Sequence, residues 1–113
     1  MDNRKKAFAI QLLRRGTYKW STRWAAEKRS RVGRGEYFCE ECGVIHRKKD
    51  TELDHVLPVV DPERGFVGFD EYIDRMFPTD QWGWKRLCIP CHETKTNIEN
   101  EIRRDTKKKL DKA

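Results

Sequence analysis

Four cysteines form two short pairs, Cys39-x-x-Cys42 and Cys88-x-x-Cys91, that lie 45 residues apart. A Cys-x-x-Cys turn presents two thiolates on one side, and two such turns complete a tetrahedral zinc site. The alternative is a pair of disulfides, which are rare in the cytosol, where we expect this chain to reside. We therefore predict a structural zinc ion that uses all four thiolates and has no catalytic role.

Asp54 and His55 are neighbours in the sequence, and His92 directly follows the last cysteine. One carboxylate and one imidazole leave room around Mg2+ or Mn2+ for water and phosphate oxygens. A histidine, with an ordinary pKa near 6.5, is also able to accept a proton from water at neutral pH. We expect the folded zinc site to bring these three residues together. The alternatives are a structural His55 and a His92 that serves as a spare zinc ligand.

Charge divides the 113 residues into three parts. The net charge of +6 is the sum of +9 over residues 1–35, −7 over residues 36–84 and +4 over residues 85–113. Basic flanks suit a polyanion, because Lys and Arg that neutralise phosphates release condensed counterions. Charged residues make up 39% of the chain, against about 25% in ordinary domains. We therefore expect a thin hydrophobic core that zinc binding reinforces.

Hydrophobic spacing and capping residues predict the elements that position these groups. Four helices are predicted, over residues 3–15, 21–31, 69–77 and 90–109. Gly16 ends the first, and Ser21 is the N-cap of the second. The predicted extended segments are 51–57 and 85–87. In the third helix we expect four apolar side chains to face inward, namely Tyr72, Ile73, Met76 and Phe77. Trp20 and Trp24 lie four residues apart, and we expect them to pack into the core.

Candidate phosphate contacts lie mainly on the second predicted helix. They are Arg23, Lys28, Arg29 and Arg31. Lys95 lies one helical turn after His92, where it faces either a phosphate or solvent. His46 lies beside three basic residues, and we expect it to be solvated or to face a phosphate.

Three segments, taken in order, resemble the HNH endonucleases that contain a zinc-bound ββα-metal motif. They are Cys39-Glu40-Glu41-Cys42, Leu53-Asp54-His55-Val56-Leu57-Pro58 and Leu87-Cys88-Ile89-Pro90-Cys91-His92-Glu93-Thr94-Lys95-Thr96. The resemblance covers roughly residues 37–100. It is closer still to the small stand-alone HNH endonucleases encoded by bacteriophages, which the tract 58–66 and the basic N-terminal segment also resemble.

The resemblance implies a fold and a function. The fold is small α+β, with a helical, DNA-contacting extension over residues 1–35 and a zinc-stabilised ββα-metal core with a basic C-terminal helix over residues 36–113. The function is cleavage of phosphodiester bonds in DNA, leaving 5′-phosphate and 3′-hydroxyl ends. The family's general base falls on His55, and its ligands for a catalytic divalent cation fall on Asp54 and His92.

Cofactors, partners and location follow from the same resemblance. We expect a structural Zn2+ and a catalytic Mg2+ or Mn2+, with other divalent ions possible. DNA is the expected partner, phage DNA-packaging proteins are implied by the resemblance alone, and no stretch is apolar enough to enter a membrane. The expected compartment is the cytoplasm, that of the host cell if the gene belongs to a phage.

One residue departs from the family pattern. The family's middle Asn, which fixes the loop that carries the catalytic His, falls on Gly83. Either Asp80, Gln81 or a backbone group replaces it, or the site is less well organised. The alternative functions are therefore a zinc-stabilised DNA-binding module with weak or no cleavage activity, and a zinc module that binds other proteins.

Overall fold

Four helices and five short strands lie within residues 2–112, the part of the chain that the computed structural model describes. The helices are α1 (Asn3–Gly16), α2 (Ser21–Ser30), α3 (Phe69–Met76) and α4 (Ile89–Lys112). The strands are β1 (Arg31–Gly33), β2 (Glu36–Phe38), β3 (Ile45–Arg47), β4 (Thr51–His55) and β5 (Trp84–Cys88). Single 3-10 turns cover Thr17–Lys19, Lys48–Asp50 and Gln81–Gly83.

The strands form two small antiparallel sheets, which confirms the α+β class. One sheet has the order β1-β2-β3, and its first turn crosses the predicted boundary at residue 35. The other pairs β4 with β5, so that Asp54 lies opposite Lys85 and His55 lies opposite Trp84. Because α4 begins directly after β5, the start of this long helix lies beside the two-stranded sheet.

The helix bounds agree closely with the predictions, but two details were wrong. Ser21 is already helical, and Trp20 is the N-cap of α2, without a side-chain capping bond. In α3, Tyr72 and Met76 are buried, whereas Ile73 is 44% exposed. The helix lies at the surface and buries a narrow stripe of residues four apart, which leaves Ile73 outside it.

The prediction that Trp20 and Trp24 belong to the core was also wrong. Their exposed fractions are 37% and 57%. The indole N–H of Trp20 donates to the Pro78 carbonyl at 2.7 Å, and that of Trp24 donates to the Tyr18 carbonyl at 2.8 Å. Trp20 also meets the edge of the Phe77 ring at a centroid distance of 5.7 Å. The two indoles therefore stabilise the surface connection between α1 and α2, Trp20 by bonding to Pro78 and Trp24 by bonding to Tyr18.

The hydrophobic core is thin and centres on the cysteines. Its cluster consists of Cys39, Leu87 and Cys88, with Cys91 packed against it. Next to it, α2 packs on β5 through polar contacts as well as apolar ones. The Nε of Arg86 donates to the Ser30 hydroxyl at 3.2 Å in a buried contact. Burial of so few apolar side chains leaves an important share of stability to other interactions.

Gly83 holds the chain immediately after His55. Its carbonyl accepts a hydrogen bond from the Val56 N–H at 2.9 Å, at the point where β4 ends. A Cβ atom at position 83 would lie 2.3 Å from the Cβ of Pro78, so the site has no room for a side chain. The contact with the Val56 N–H is therefore made by the backbone carbonyl of Gly83, and an Asn side chain does not fit at position 83.

We expect Gly83→Ala to lower the free energy of unfolding by about 1–3 kcal/mol, because the added methyl group overpacks against Pro78. Chemical denaturation measures this value. Gly33→Ala is the control, since the nearest atom to its added Cβ lies at an ordinary contact distance of 3.8 Å. Equal stability of the two variants would contradict the close approach of Gly83 to Pro78.

Candidate functional site

The four cysteines meet where β2, β5 and α4 come together. Cys39 follows β2, Cys42 lies in the next turn, Cys88 ends β5 and Cys91 lies in the first turn of α4. Their sulfur atoms all lie within 4.8 Å of one another. The Gly43 N–H closes the first turn on the Cys39 carbonyl at 2.8 Å, with Gly43 at a φ of 77°. The predicted clustering is confirmed, and the cluster is of the zinc type.

The cysteine thiols differ in how readily they ionise. Burial opposes ionisation of Cys39, but hydrogen bonds from the N–H groups of Cys42, Cys88 and Glu41 outweigh it and lower the Cys39 pKa to about 6. A hydrogen bond with the Cys88 thiol, together with burial, raises the pKa of Cys91 to about 12. The four sulfur atoms therefore do not all ionise at neutral pH unless a metal ion compensates their charge.

Asp54 and His92 come together from β4 and the start of α4. The His92 Nε2 lies 3.8 Å from the Asp54 Oδ1. Neighbouring and opposite ligands of an octahedral Mg2+ lie about 3 and about 4 Å apart, so a small side-chain movement would bring both groups onto one ion. The other oxygen of Asp54, Oδ2, binds the ammonium group of Lys95. Oδ1 is therefore the oxygen that Asp54 presents to His92.

Glu52 is a second carboxylate beside His92 that sequence reasoning missed. Its Oε2 lies 3.5 Å from the His92 Nε2. Alternate residues of a strand share one face, so Glu52 and Asp54 project on the same side of β4. This two-residue spacing was the signal that would have identified Glu52.

Lys95 lies inside the site. Besides Asp54, its ammonium group donates to the His55 carbonyl at 2.7 Å and lies 3.2 Å from the Glu99 Oε1. Its side chain is 30% exposed. The structure thus places Lys95 between two carboxylates and the backbone that carries His55.

His55 is held on two sides. Its ring packs on Trp84 with a centroid distance of 4.2 Å. Its Nε2 lies 2.9 Å from the Met76 carbonyl at the end of α3. Since a carbonyl only accepts hydrogen bonds, Nε2 carries the proton and Nδ1 keeps a free lone pair. Burial lowers the pKa of His55 below its usual value, so the neutral imidazole predominates at neutral pH.

His55 and Asp54 line a cleft of about 370 Å³ between α1, β4 and α4. Basic side chains from both helices also line it, namely Arg14, Lys95 and Arg103. The cleft thus combines a neutral imidazole, a carboxylate near a second imidazole, and cationic walls. These groups suit hydrolysis of an anionic ester.

The basic residues predicted to contact DNA differ in their exposure and in their contacts within the protein. Lys28 and Arg31 are exposed. Arg23 is half-buried and stacks over Tyr18 at 4.5 Å. Arg29 donates to the Glu40 carboxylate and to the carbonyls of Gln81 and Trp84, and its side chain is 15% exposed. The Arg29 guanidinium is therefore committed to contacts inside the protein, which argues against a DNA contact.

His46 is less solvated than expected. It pairs with Tyr37 across β2 and β3 and is partly exposed. Its Nε2 is buried and has no hydrogen-bond partner among the described residues. The expectation of a solvated His46 therefore holds only in part, and contact with a phosphate stays a prediction.

No family model, curated protein or solved structure matches the chain. None of the helices within residues 2–112 combines the length and apolar character that crossing a lipid bilayer requires. The function is therefore inferred from the side chains that the fold brings together.

Removing metal from the cysteine cluster is expected to unfold the protein. A structural zinc ion contributes on the order of 10 kcal/mol of folding free energy, and this core is thin. Circular dichroism during titration with a zinc chelator measures the loss of structure. Re-added Zn2+ should restore the fold and Mg2+ should not, because thiolates are soft ligands.

Two variants separate this structural role from the neighbouring site. Cys88→Ser should unfold the chain, whereas Asp54→Ala should leave it folded with its zinc ion. A purified protein that contains no zinc and keeps its melting temperature in chelator would contradict the assignment.

Proposed function

We propose that this protein is a metal-dependent endonuclease that hydrolyses phosphodiester bonds in DNA. The observation that carries the proposal is the meeting of Asp54 and His92, 3.8 Å apart, in the neighbourhood of an oriented His55. Asp54 and His55 line one cleft with basic walls. A nuclease needs this combination of a cation site, a general base and a place for an anionic backbone.

His55 acts as the general base. Its Nδ1 accepts a proton from a water molecule, and the resulting hydroxide attacks the phosphorus atom. The bond from phosphorus to the 3′ oxygen breaks, leaving a 5′-phosphate and, after protonation of the departing oxygen, a 3′-hydroxyl. The Met76 carbonyl and the Trp84 ring hold the imidazole during this transfer.

Asp54 and His92 are the proposed protein ligands of the catalytic cation. When bound, Mg2+ or Mn2+ supplies charge stabilisation at the phosphate and the departing oxygen. Lys95 fixes the Asp54 carboxylate through Oδ2 and so keeps Oδ1 directed toward His92. Glu52, 3.5 Å from the His92 Nε2, adds a carboxylate to the same position.

The arrangement of elements supports an HNH-type, ββα-metal interpretation. Two antiparallel strands, β4 and β5, lead into α4, and the cysteine cluster joins the end of β5 to the first turn of α4. The Gly83 carbonyl fixes the chain after His55, where the family uses an Asn side chain. DNA is the proposed partner and the cytoplasm the proposed compartment; partnership with phage packaging proteins rests on the sequence resemblance alone.

Two observations favour a second candidate, a zinc-stabilised module that binds DNA without cleaving it. The Lys95 ammonium group already neutralises Asp54. Among residues 2–112, the cysteine cluster is also the only group of three or more possible ligand side chains close enough to hold a metal ion together. Both candidates predict salt-sensitive DNA binding, and they differ in cleavage.

Wild-type protein is expected to nick or cut supercoiled plasmid when Mg2+ or Mn2+ is added. His55→Ala should reduce the rate about 10²- to 10⁴-fold, because it removes the general base. Gel analysis of plasmid forms over time gives both rates. His46→Ala is the matched control, since it removes an imidazole that does not line the cleft.

Cleavage that proceeds equally in wild type and His55→Ala would refute the catalytic assignment. DNA binding without cleavage at any divalent metal would favour the second candidate. His92→Ala adds a test of the cation site: its cleavage should need a higher metal concentration, while its DNA binding without added metal should match wild type.

A further inference from the structure

We propose that Arg14, Arg103 and the hydroxyl of Tyr72 form a phosphate-binding subsite that holds one phosphodiester group of the DNA strand in the cleft beside His55. This inference rests on the proposed function and adds residues that neither the cysteine pairs nor the Asp-His sequence indicates. All three residues line the cleft that Asp54 and His55 line.

The two arginines are uncompensated cations. Neither has a carboxylate oxygen within ion-pair distance among residues 2–112. The single hydrogen bond of the Arg103 guanidinium goes to the Asn100 side chain, at 2.8 Å. By contrast, four arginines pair with a carboxylate, namely Arg29, Arg64, Arg75 and Arg86. Arg14 and Arg103 therefore have donors available for an anion.

Tyr72 supplies an independent observation. The residue is 3% exposed, and its hydroxyl is buried without a hydrogen-bond partner. Its ring packs against Phe66 and Phe69, with centroid distances of 5.6 and 6.3 Å. Buried hydroxyl groups almost always have a partner. Tyr72 lines this cleft and a second, smaller cavity beside Phe66. We infer that a small shift of the side chains that cover its hydroxyl lets a phosphate oxygen in the cleft complete this donor.

The chemistry of these three groups selects a phosphate. Guanidinium N–H groups and a phenolic O–H all donate to the non-bridging oxygens of a phosphodiester. The two carboxylates that line the cleft, Asp54 and Glu99, are both contacted by Lys95. The lining has three cationic side chains and two carboxylates, so a formal net charge of +1 remains to attract the DNA backbone.

The chain offers two matched pairs for the test. Arg14 and Arg15 both lie in the last turn of α1, so they share its helix dipole. Arg103 and Arg104 are neighbours on α4. All four side chains are exposed, and only Arg14 and Arg103 line the cleft. In each pair, replacing either arginine by Gln removes one positive charge. Only Arg14→Gln and Arg103→Gln remove that charge from the cleft lining.

DNA affinity is measured by fluorescence anisotropy of a labelled duplex without added Mg2+ or Mn2+. Arg14→Gln and Arg103→Gln should each weaken binding about five- to tenfold, and Arg15→Gln and Arg104→Gln less than twofold. The slope of log K against log salt should fall by about 0.9 for each lost phosphate contact. Equal losses within both pairs would overturn the subsite.

Tyr72→Phe tests the hydroxyl while keeping the ring that packs on Phe66 and Phe69. We expect DNA binding to weaken about two- to fivefold, and the melting temperature of the free protein to stay unchanged or rise. A lower melting temperature with unchanged DNA affinity would show that the hydroxyl is structural and would remove Tyr72 from the subsite.

Failure of this inference is distinguishable from failure of the proposed function. If the Gln variants differ within their pairs but wild type does not cleave plasmid, the phosphate subsite stands and the endonuclease proposal fails. If wild type cleaves and His55→Ala does not, while the paired variants bind alike, the endonuclease proposal stands and the subsite is wrong.

Discussion

Four sulfur atoms within 4.8 Å of one another are the constraint on which the rest of the structure depends. They tie the turn after β2 to the junction of β5 and α4, and the small apolar core forms around them. The position of α4 relative to β4 follows from this tie, because β5 pairs with β4 along its whole length. His92, one residue after Cys91, is thereby brought to Asp54.

Part of the acidic middle of the sequence neutralises arginines within the fold, through Glu40, Asp61 and Glu71. Asp61 and Glu71 each contact both Arg64 and Arg75, which joins the long connection after β4 to α3. A hydrogen bond from the Glu63 N–H, with further help from Arg64, lowers the pKa of Asp61 to about 2. The Asp61 carboxylate is therefore charged at neutral pH, and both Asp61 and Glu71 are engaged in pairs inside the protein, while cations without a carboxylate partner remain on α1 and α4.

Sequence reasoning found what depends on local spacing and missed what depends on distant contacts. The cysteine cluster and the limits of α1, α2 and α3 follow from short patterns, as does the pairing of Asp54 with His92 once the cysteines are joined. The internal role of Arg29 depends on partners up to 55 residues away, and the indole of Trp20 reaches a carbonyl 58 residues away. Nothing in a helical periodicity indicates such partners.

The hydrogen bond between His55 and the Met76 carbonyl has a consequence for how this chain tolerates change. The last carbonyls of a helix lack partners inside it, so the imidazole acts as a side-chain cap at the carboxyl end of α3. The same residue thus caps a helix and is the proposed general base. An insertion or deletion in the segment between β4 and α3 would reorient the imidazole. The length of this segment is therefore more tightly constrained than its loop-like composition indicates.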